Sequence, residues 1–253
     1  MSDIILPQPK DALHKAWLYR TLTGIYDDVF LANILYFKGG TCAALLGYLD
    51  RFSVDLDFDY VEDESLLPDT RKRLERIFND IGLTIYDVSK VAPRYFLKYE
   101  AREHERNTLK IDVSIAPPKA NKYESKRLHE IDRIITCQTS DTMMANKLVA
   151  LTDRYERNEA IAGRDLYDIH HFFFKGFRYN EDVIRERTGK DIPQFFVDII
   201  AFIERHITED ILNQDLNTLL PYEKFSRIRK VLKQETLLFL RDEQKRIRAK
   251  VDS

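Results

Sequence analysis

The sequence predicts an α+β fold in which a mixed β-sheet comes first and a helical region follows. Two segments, 53–60 and 108–116, alternate between apolar and polar residues, as half-buried strands do. Shorter strand-like runs lie near 83–89, 94–101 and 134–137. After about residue 140 only helical patterns remain. We therefore expect an α+β core over 1–140, flanked by helices, and a helical region over 141–253.

The remaining elements follow in chain order from apolar spacing and from turn residues. Residues 10–32 have helical spacing, and the short apolar run 34–37 reads as a strand that Lys38, Gly39 and Gly40 end. Thr41 is a good N-cap residue, so we expect the next helix to begin there. Further helices are expected over 66–80, 122–131, 141–158, 164–175, 193–206 and 222–249.

Composition excludes several classes of protein. The chain has 253 residues, of which 44% are hydrophobic, and this is enough for a core. The longest mostly apolar stretch, 195–203, is about half as long as a membrane span and contains Asp198. The first ten residues lack the layout of a signal peptide, and two cysteines, Cys42 and Cys137, cannot staple a secreted scaffold. We expect a cytoplasmic protein without a membrane partner.

Charge is balanced overall, at −2, but it is uneven along the chain. Residues 50–64 contain seven acidic residues and one arginine, whereas residues 224–250 carry a net charge of +7. An acidic segment far from a basic one suggests a metal centre and a surface that faces a polyanion. The basic helix also reads as an ordinary solvated face.

A glycine turn and an acidic strand carry the clearest chemical signal. The turn at Gly39 and Gly40 lets a phosphate approach the backbone, and a helix N-terminus offers free N–H groups. Asp55 and Asp57 share one face of the following strand, about 7 Å apart by the strand rise. Such a pair can hold one or two Mg²⁺ ions together with substrate phosphates. Asp112, on another alternating strand, completes the set of carboxylates.

Alternative interpretations remain open for the same residues. An acidic strand with Asp55, Asp57 and Asp59 on one face is often merely half-exposed, although nothing in the strand itself neutralises three like charges. Asp59 is expected at the surface or in a supporting position. His170 and His171 are expected to pack among the aromatic residues near a helix end rather than to bind a metal.

These motifs, in order, resemble the AbiEii/AbiGii toxin family of DNA polymerase β-like nucleotidyltransferases. The family pattern of a K-G-G-T turn and an R-F-S-x-D-L-D-F strand is matched over 38–41 and 51–58. Its K-x-D-V strand is matched over 110–113, and its K-L-x-A-L-x-x-R helix with a later R-D-x-x-D is matched over 147–154 and 164–168. The resemblance implies the fold of a nucleotidyltransferase core followed by helices.

The resemblance also implies roles for individual residues. Asp55, Asp57 and Asp112 would be metal ligands and catalytic carboxylates. The nucleotide would be bound by the glycine-turn motif and by two cations of the later helix, namely Lys38, Gly39, Gly40, Thr41, Lys147 and Arg154. Lys147 and Asp165 would be catalytic, from the helical region, which is expected to contribute to the active-site cleft. Asp165 is favoured over Asp168, because the Arg-Asp pair opens this motif. Arg164 and Asp168 also fit an ordinary helix salt bridge.

The function implied is Mg²⁺-dependent transfer of a nucleoside monophosphate from a nucleoside triphosphate to an acceptor. The family implies a bacterial toxin that modifies tRNA or another RNA and is paired with a cognate antitoxin protein. The basic region 222–249 would contact the nucleic-acid backbone through residues such as Arg227, Lys230, Lys233 and Arg241. Transfer to a protein or a small molecule fits the same motifs, and so does an inactive scaffold of this fold.

Overall fold

The computed structural model describes residues 6–251, with side chains described through residue 249. The chain divides into two compact units. The first runs to Pro117 and also includes Lys122–Thr139, and the second consists of Pro118–Asn121 and the chain from Ser140 onward. Among the described residues, no helix combines the length and the apolar character that a membrane crossing requires.

The first unit is built on one mixed seven-stranded sheet with the order β3-β4-β5-β2-β1-β7-β6. Pairing is parallel between β2 and β5 and between β1 and β7, and antiparallel elsewhere. The strands are β1 (Leu35–Lys38), β2 (Asp55–Tyr60), β3 (Thr84–Val88), β4 (Arg94–Lys98), β5 (Thr108–Ser114), β6 (Tyr123–Leu128) and β7 (Arg133–Gln138). The predicted mixed sheet is therefore confirmed.

Alternation along the central strands separates a core from a polar face. Leu56 and Phe58 of β2 are fully buried, as are Leu109 and Ile111 of β5, and each has a polar neighbour on the opposite face. Helices with buried apolar faces pack in this unit: α1 (Ala12–Asp27), α2 (Val29–Ile34), α3 (Gly39–Leu45) and α4 (Leu67–Asp80). The acidic residues of β2 consequently lie on the polar face of the sheet, opposite the hydrophobic core.

Two expectations for this unit need correction. The helix expected over 10–32 is interrupted at Asp28, whose carboxylate accepts the backbone N–H groups of Phe30 and Leu31 and so starts α2. The segment 122–131 contains strand β6 rather than a helix, because it pairs antiparallel with β7. Its charged residues are compatible with a helix in isolation, and the available sheet edge overrides that local preference.

The second unit is helical within the described residues. Its helices are α5 (Ser140–Asn158), α6 (Gly163–Phe174), α7 (Glu181–Thr188), α8 (Ile192–His206), α9 (Glu209–Leu216), α10 (Tyr222–Ile228) and α11 (Leu232–Val251). The core is formed by buried residues such as Leu148, Phe172, Phe196 and Leu240.

The helix expected over 222–249 is two helices, because a turn from the N–H of Val231 to the carbonyl of Ile228 separates α10 from α11. The short helices α7 and α9 have no counterpart in the sequence prediction. Each spans only 8 residues, too few for a clear apolar period, and each begins at a side-chain cap, Asn180 for α7 and Thr208 for α9.

Candidate active site

Three neighbouring strands bring the predicted residues of the first unit into one row. Asp57 of β2 pairs with Lys38 of β1 on one side and with Asp112 of β5 on the other. Adjacent strands lie about 4.8 Å apart, so these three positions are immediate neighbours on one face. Asp55 lies two residues earlier on the same face, opposite Lys110. The sheet thus brings Asp55, Asp57 and Asp112 together, as the alternating pattern predicted.

The glycine turn lies directly against the Asp57 carboxylate. Gly39 has a φ of +80°, and a Cβ built on it would lie 2.4 Å from Oδ2 of Asp57. A Cβ on Gly40 would lie 2.8 Å from Nη2 of Arg51 and 2.9 Å from Oγ of Ser53. No side chain fits at either position without displacement. The two sequence motifs are therefore one packed unit, in which glycine allows the close approach of the acidic strand.

Arg51 is a residue to which the sequence analysis gave no role. Its side chain is only 2% exposed, and Nη1 donates to the carbonyl of Phe52 at 2.9 Å. Its other nitrogen occupies the space that a side chain on Gly40 would need. The signal was present in the sequence as an arginine directly before the acidic strand, but only the fold shows that it buttresses the glycine turn.

Thr41 occupies a different position from the one expected. The helix α3 begins at Gly39 with Lys38 as its N-cap residue, so the expectation that Thr41 caps the helix is wrong. Thr41 is fully buried, and its hydroxyl donates to the carbonyl oxygen of Asp55 at 2.5 Å. The side chain therefore ties α3 to β2, and a phosphate at this turn would meet backbone N–H groups rather than this hydroxyl.

The carboxylates differ in electrostatic environment. Burial raises the pKa of Asp57, and the nearby charge of Asp55 raises it further, against the opposing effect of Lys38 and Lys110. Burial also opposes ionisation of Asp112, but the hydrogen bond and charge of Lys110 and the charge of Arg94 outweigh it and lower its pKa. Oδ2 of Asp112 accepts from Lys110 Nζ at 2.7 Å and from Arg94 Nε at 3.1 Å.

These contacts test whether the residues suit a divalent cation. Within residues 6–251, no group of three or more histidine, cysteine, aspartate or glutamate side chains is arranged to hold a metal ion. In this structure Oδ2 of Asp112 is engaged by two cations, Lys110 and Arg94. Asp55 and Asp57 remain as a pair whose mutual repulsion a cation would relieve. Two carboxylates that share a cation with substrate phosphates are a typical Mg²⁺ site, so this pair fits Mg²⁺.

Of the two positions expected for Asp59, at the surface or supporting the site, the structure shows the supporting one. It is fully buried and accepts hydrogen bonds from Lys38 Nζ at 2.6 Å, Tyr123 OH at 2.9 Å and Gln138 Nε2 at 2.6 Å. Lys38 also donates to Ser114 Oγ at 2.7 Å. A buried carboxylate needs such partners. Asp59 therefore connects β2 to three other strands of the sheet and holds the ammonium of Lys38 beside the Asp57 row.

The second unit contains a separate cluster of charged residues that were predicted from the sequence. Lys147 Nζ lies 2.9 Å from Asp165 Oδ1 and 2.8 Å from Asp168 Oδ2, and Arg154 Nε lies 3.0 Å from Asp165 Oδ2. Both aspartates are fully buried. Although burial opposes ionisation, the charges of Lys147 and Arg154 lower the pKa of Asp165 to about 2. Both aspartates contact Lys147, so the geometry gives no preference for Asp165 over Asp168.

His170, His171 and Cys42 of α3 are packing residues. His170 Nε2 contacts Glu235 Oε2 at 2.7 Å, and the His171 ring stacks on Tyr167. Both histidines are buried, in agreement with the expectation that they pack among aromatic residues. Cys42 is fully buried, and burial raises the pKa of its thiol well above its usual value, so it is a packed rather than a reactive cysteine.

Several solved structures share the fold of this chain. JHP933 from Helicobacter pylori superposes with a TM-score of 0.61 at 20% identity, over 98% of this chain and 97% of that one. MenT4, a nucleotidyltransferase toxin from Mycobacterium tuberculosis, gives a TM-score of 0.51 at 20% identity, over 94% and 87% of the two chains. At this level of identity the likeness concerns the fold alone. A search of curated proteins finds no match to this sequence.

The family model described as "Nucleotidyl transferase AbiEii toxin, Type IV TA system" matches residues 20–243. That range includes the glycine turn, the acidic strand, the Asp112 strand and the Lys147 cluster, and it covers most of the chain. The protein therefore belongs to the AbiEii family of type IV toxin–antitoxin nucleotidyltransferases.

Proposed function

We propose that this nucleotidyltransferase moves a nucleoside monophosphate from a nucleoside triphosphate to RNA, with tRNA as the acceptor, in a Mg²⁺-dependent reaction. The family supplies the reaction class. The observation that carries the assignment of the site is the row of Lys38, Asp57 and Asp112 on three adjacent strands, with Gly39 packed against the Asp57 carboxylate. A backbone turn this close to a carboxylate suits a phosphate that shares a cation with it.

In the proposed reaction the acceptor hydroxyl oxygen bonds to the α-phosphorus of the nucleotide. The bond from that phosphorus to the bridging oxygen breaks, pyrophosphate leaves and the hydroxyl proton is released. Bound Mg²⁺ would neutralise charge that develops on the phosphate oxygens. Asp55 and Asp57 would hold it, and the backbone of Gly39, Gly40 and Thr41 would face the phosphates.

Asp112 is the proposed third carboxylate of this site. Both of its cationic partners bind Oδ2, so we assign Oδ1 to the acceptor hydroxyl or to the metal. The lowered pKa of Asp112 keeps the carboxylate ionised at neutral pH. It therefore suits Asp112 to electrostatic stabilisation more than to accepting a proton as a general base. Replacing Arg94 or Lys110 should therefore raise the pKa of Asp112 and shift the pH profile of transfer.

Lys147, Arg154 and Asp165 are proposed to serve nucleotide binding and catalysis, on the strength of the sequence motif. Lys147 is 15% exposed at its side chain and holds two buried carboxylates. A role in phosphate binding requires its ammonium to contact the nucleotide in addition to these partners. Arg154 is 44% exposed, so it is the more accessible of the two cations.

The basic region 222–249 is proposed to contact the RNA backbone. Two of its four candidate residues already have partners near the end of α8. Lys233 Nζ donates to the carbonyls of Glu204 and Ile207 near the end of α8, and Arg241 pairs with Glu204. Arg227 and Lys230 are exposed at and just after α10. We expect Arg227→Ala and Lys230→Ala to reduce the salt dependence of RNA binding, with Arg241→Ala changing it less.

Membership of a toxin–antitoxin family further leads us to propose a cognate antitoxin protein as a partner and the bacterial cytoplasm as the site of action. Co-expression with the neighbouring gene product, followed by co-purification, tests this part. Growth arrest by the chain alone, and relief of that arrest by the candidate antitoxin, is the expected result.

The decisive experiment follows label from each α-³²P nucleoside triphosphate, with Mg²⁺, to total tRNA or to whole cell extract. Asp57→Asn removes the central carboxylate, and Asp87→Asn, at an exposed position of the edge strand β3, is the matched control. We expect label on RNA with the native chain and the control, and none with Asp57→Asn. Label on protein or on a small molecule would replace the RNA assignment. No transfer and no nucleotide binding would leave an inactive scaffold.

A further inference from the structure

Strand β2 begins at Asp55, and at this position it is paired with a neighbouring strand on one side only. Asp55 pairs with Lys110 of β5, but β1 ends at Lys38, which pairs with Asp57. The strand ladder on the β1 side therefore does not reach Asp55. Two buried side chains from helices contact the backbone at this point, one on each side of the Asp55 Cα atom.

The first of these side chains is His14 of α1. Its Nε2 lies 2.8 Å from the carbonyl oxygen of Val54, and its Nδ1 lies 2.6 Å from the hydroxyl of Tyr99. A carbonyl oxygen only accepts, so Nε2 carries the hydrogen and Nδ1 accepts from Tyr99. His14 is 1% exposed, and burial lowers its pKa to about 4, which keeps the ring neutral at physiological pH.

The second side chain is Thr41 of α3, whose hydroxyl donates to the carbonyl of Asp55 at 2.5 Å. The carbonyl of Val54 belongs to the peptide plane that precedes the Asp55 Cα atom, and the carbonyl of Asp55 belongs to the plane that follows it. Holding both planes fixes φ and ψ of Asp55, and with them the direction of its Cα–Cβ bond.

We propose that His14 and Thr41 are positioning residues that aim the Asp55 carboxylate, and that Thr41 acts through its buried hydroxyl rather than by touching phosphate. This inference rests on the proposed function, because it gives the pair a purpose only if Asp55 binds the cation. In this role each side chain acts on a peptide carbonyl rather than on the reacting groups. Partners that orient a metal ligand typically change metal affinity by about 10–100-fold when they are removed.

The test is Mn²⁺ binding to the full chain, followed by the electron paramagnetic resonance signal of free Mn²⁺. Thr41→Val keeps the shape of the side chain and removes the hydroxyl, whereas Thr41→Ser retains it. His14→Phe removes both ring nitrogens, whereas His14→Gln restores a donor near the position of Nε2. We expect about tenfold weaker Mn²⁺ binding for Thr41→Val and His14→Phe, and recovery to within about threefold of wild type for the two conservative variants.

A matched control separates positioning from general stability. Thr21 of α1 is also fully buried and donates its hydroxyl to a backbone carbonyl, that of Trp17, so Thr21→Val removes a comparable hydrogen bond. We expect it to lower the free energy of unfolding by an amount similar to Thr41→Val and to leave Mn²⁺ binding unchanged. If His14→Phe does not fold, the two Thr41 variants decide.

Two outcomes would overturn the inference in different ways. Thr41→Val and His14→Phe binding Mn²⁺ as tightly as wild type would refute the positioning role alone. If the wild-type chain binds no Mn²⁺, or binds it in a way that Asp57→Ala does not abolish, the proposed metal site is refuted. The inference then fails with it. Transfer activity measured in parallel should fall in the same order as Mn²⁺ affinity.

Discussion

Replacing Gly39 by alanine should damage transfer far more than it damages folding. Alanine at a φ of +80° costs about 1–2 kcal/mol, because an L side chain is strained in the left-handed region. In addition, the new Cβ would lie 2.4 Å from Asp57 Oδ2, whereas ordinary contact begins at 3.4 Å. The carboxylate must therefore retreat by about 1 Å. A displacement of that size in a reacting group lowers rates by about 10²-fold.

Gly82 provides a matched control for this substitution. It has a φ of +88°, and a Cβ there would have no atom within 4 Å, so Gly82→Ala carries the same backbone strain without the clash. Both variants should lose similar stability in urea unfolding. Only Gly39→Ala should lose about 10²-fold in the initial rate of pyrophosphate release. A Gly39→Ala rate within threefold of the Gly82→Ala rate would refute the argument that the turn is glycine because of Asp57.

Three further results are expected. Asp57→Asn should abolish transfer while changing the free energy of unfolding by no more than about 1 kcal/mol, since burial and the charge of Asp55 already raise the pKa of Asp57 and disfavour its ionised form; a loss of several kcal/mol in urea unfolding would contradict this. Lys147→Met should destabilise the chain by about 3–5 kcal/mol, because it leaves the buried carboxylates of Asp165 and Asp168 without their shared cation, and a loss below about 1 kcal/mol would show that the cluster rearranges. Because burial lowers the pKa of His14 from 6.5 to about 4, the unfolded chain takes up this proton first as the pH falls, so the wild type should lose about 3 kcal/mol of stability from this group between pH 7 and pH 4. Urea unfolding of wild type and His14→Gln at both pH values isolates that contribution, and equal losses in the two proteins would rule it out.

Much of the first unit followed from local pattern. Strict alternation predicted strands around Asp57 and Asp112 and placed each aspartate on the polar face of its own strand, because successive strand residues point to opposite sides of a sheet. The same pattern could not give the neighbours of those strands. Local composition also misassigned β6 as a helix, since its strand pairing depends on the distant β7.

The candidate site, too, was predictable from the sequence only in part. The residue types and their order named Asp55, Asp57, Gly39 and Gly40 as candidate site residues. Most partners of the charged residues could not be read from the sequence, because they come from other elements. Asp59 accepts from Lys38 of β1, and Asp112 is held by Arg94 of β4 as well as by Lys110 of its own strand.

The sequence by itself indicated the family, through the resemblance of its motifs, and gave Asp55, Asp57 and Asp112 as candidate carboxylates, because residue types and spacing within each short motif are local properties of the chain. Only the tertiary structure decided that Thr41 is buried against Asp55, that His14 supports the preceding peptide and that Lys147 holds two carboxylates. These contacts join residues 14 to 40 positions apart in the chain, and no local spacing rule encodes which side chain a fold brings to a given backbone carbonyl or charge.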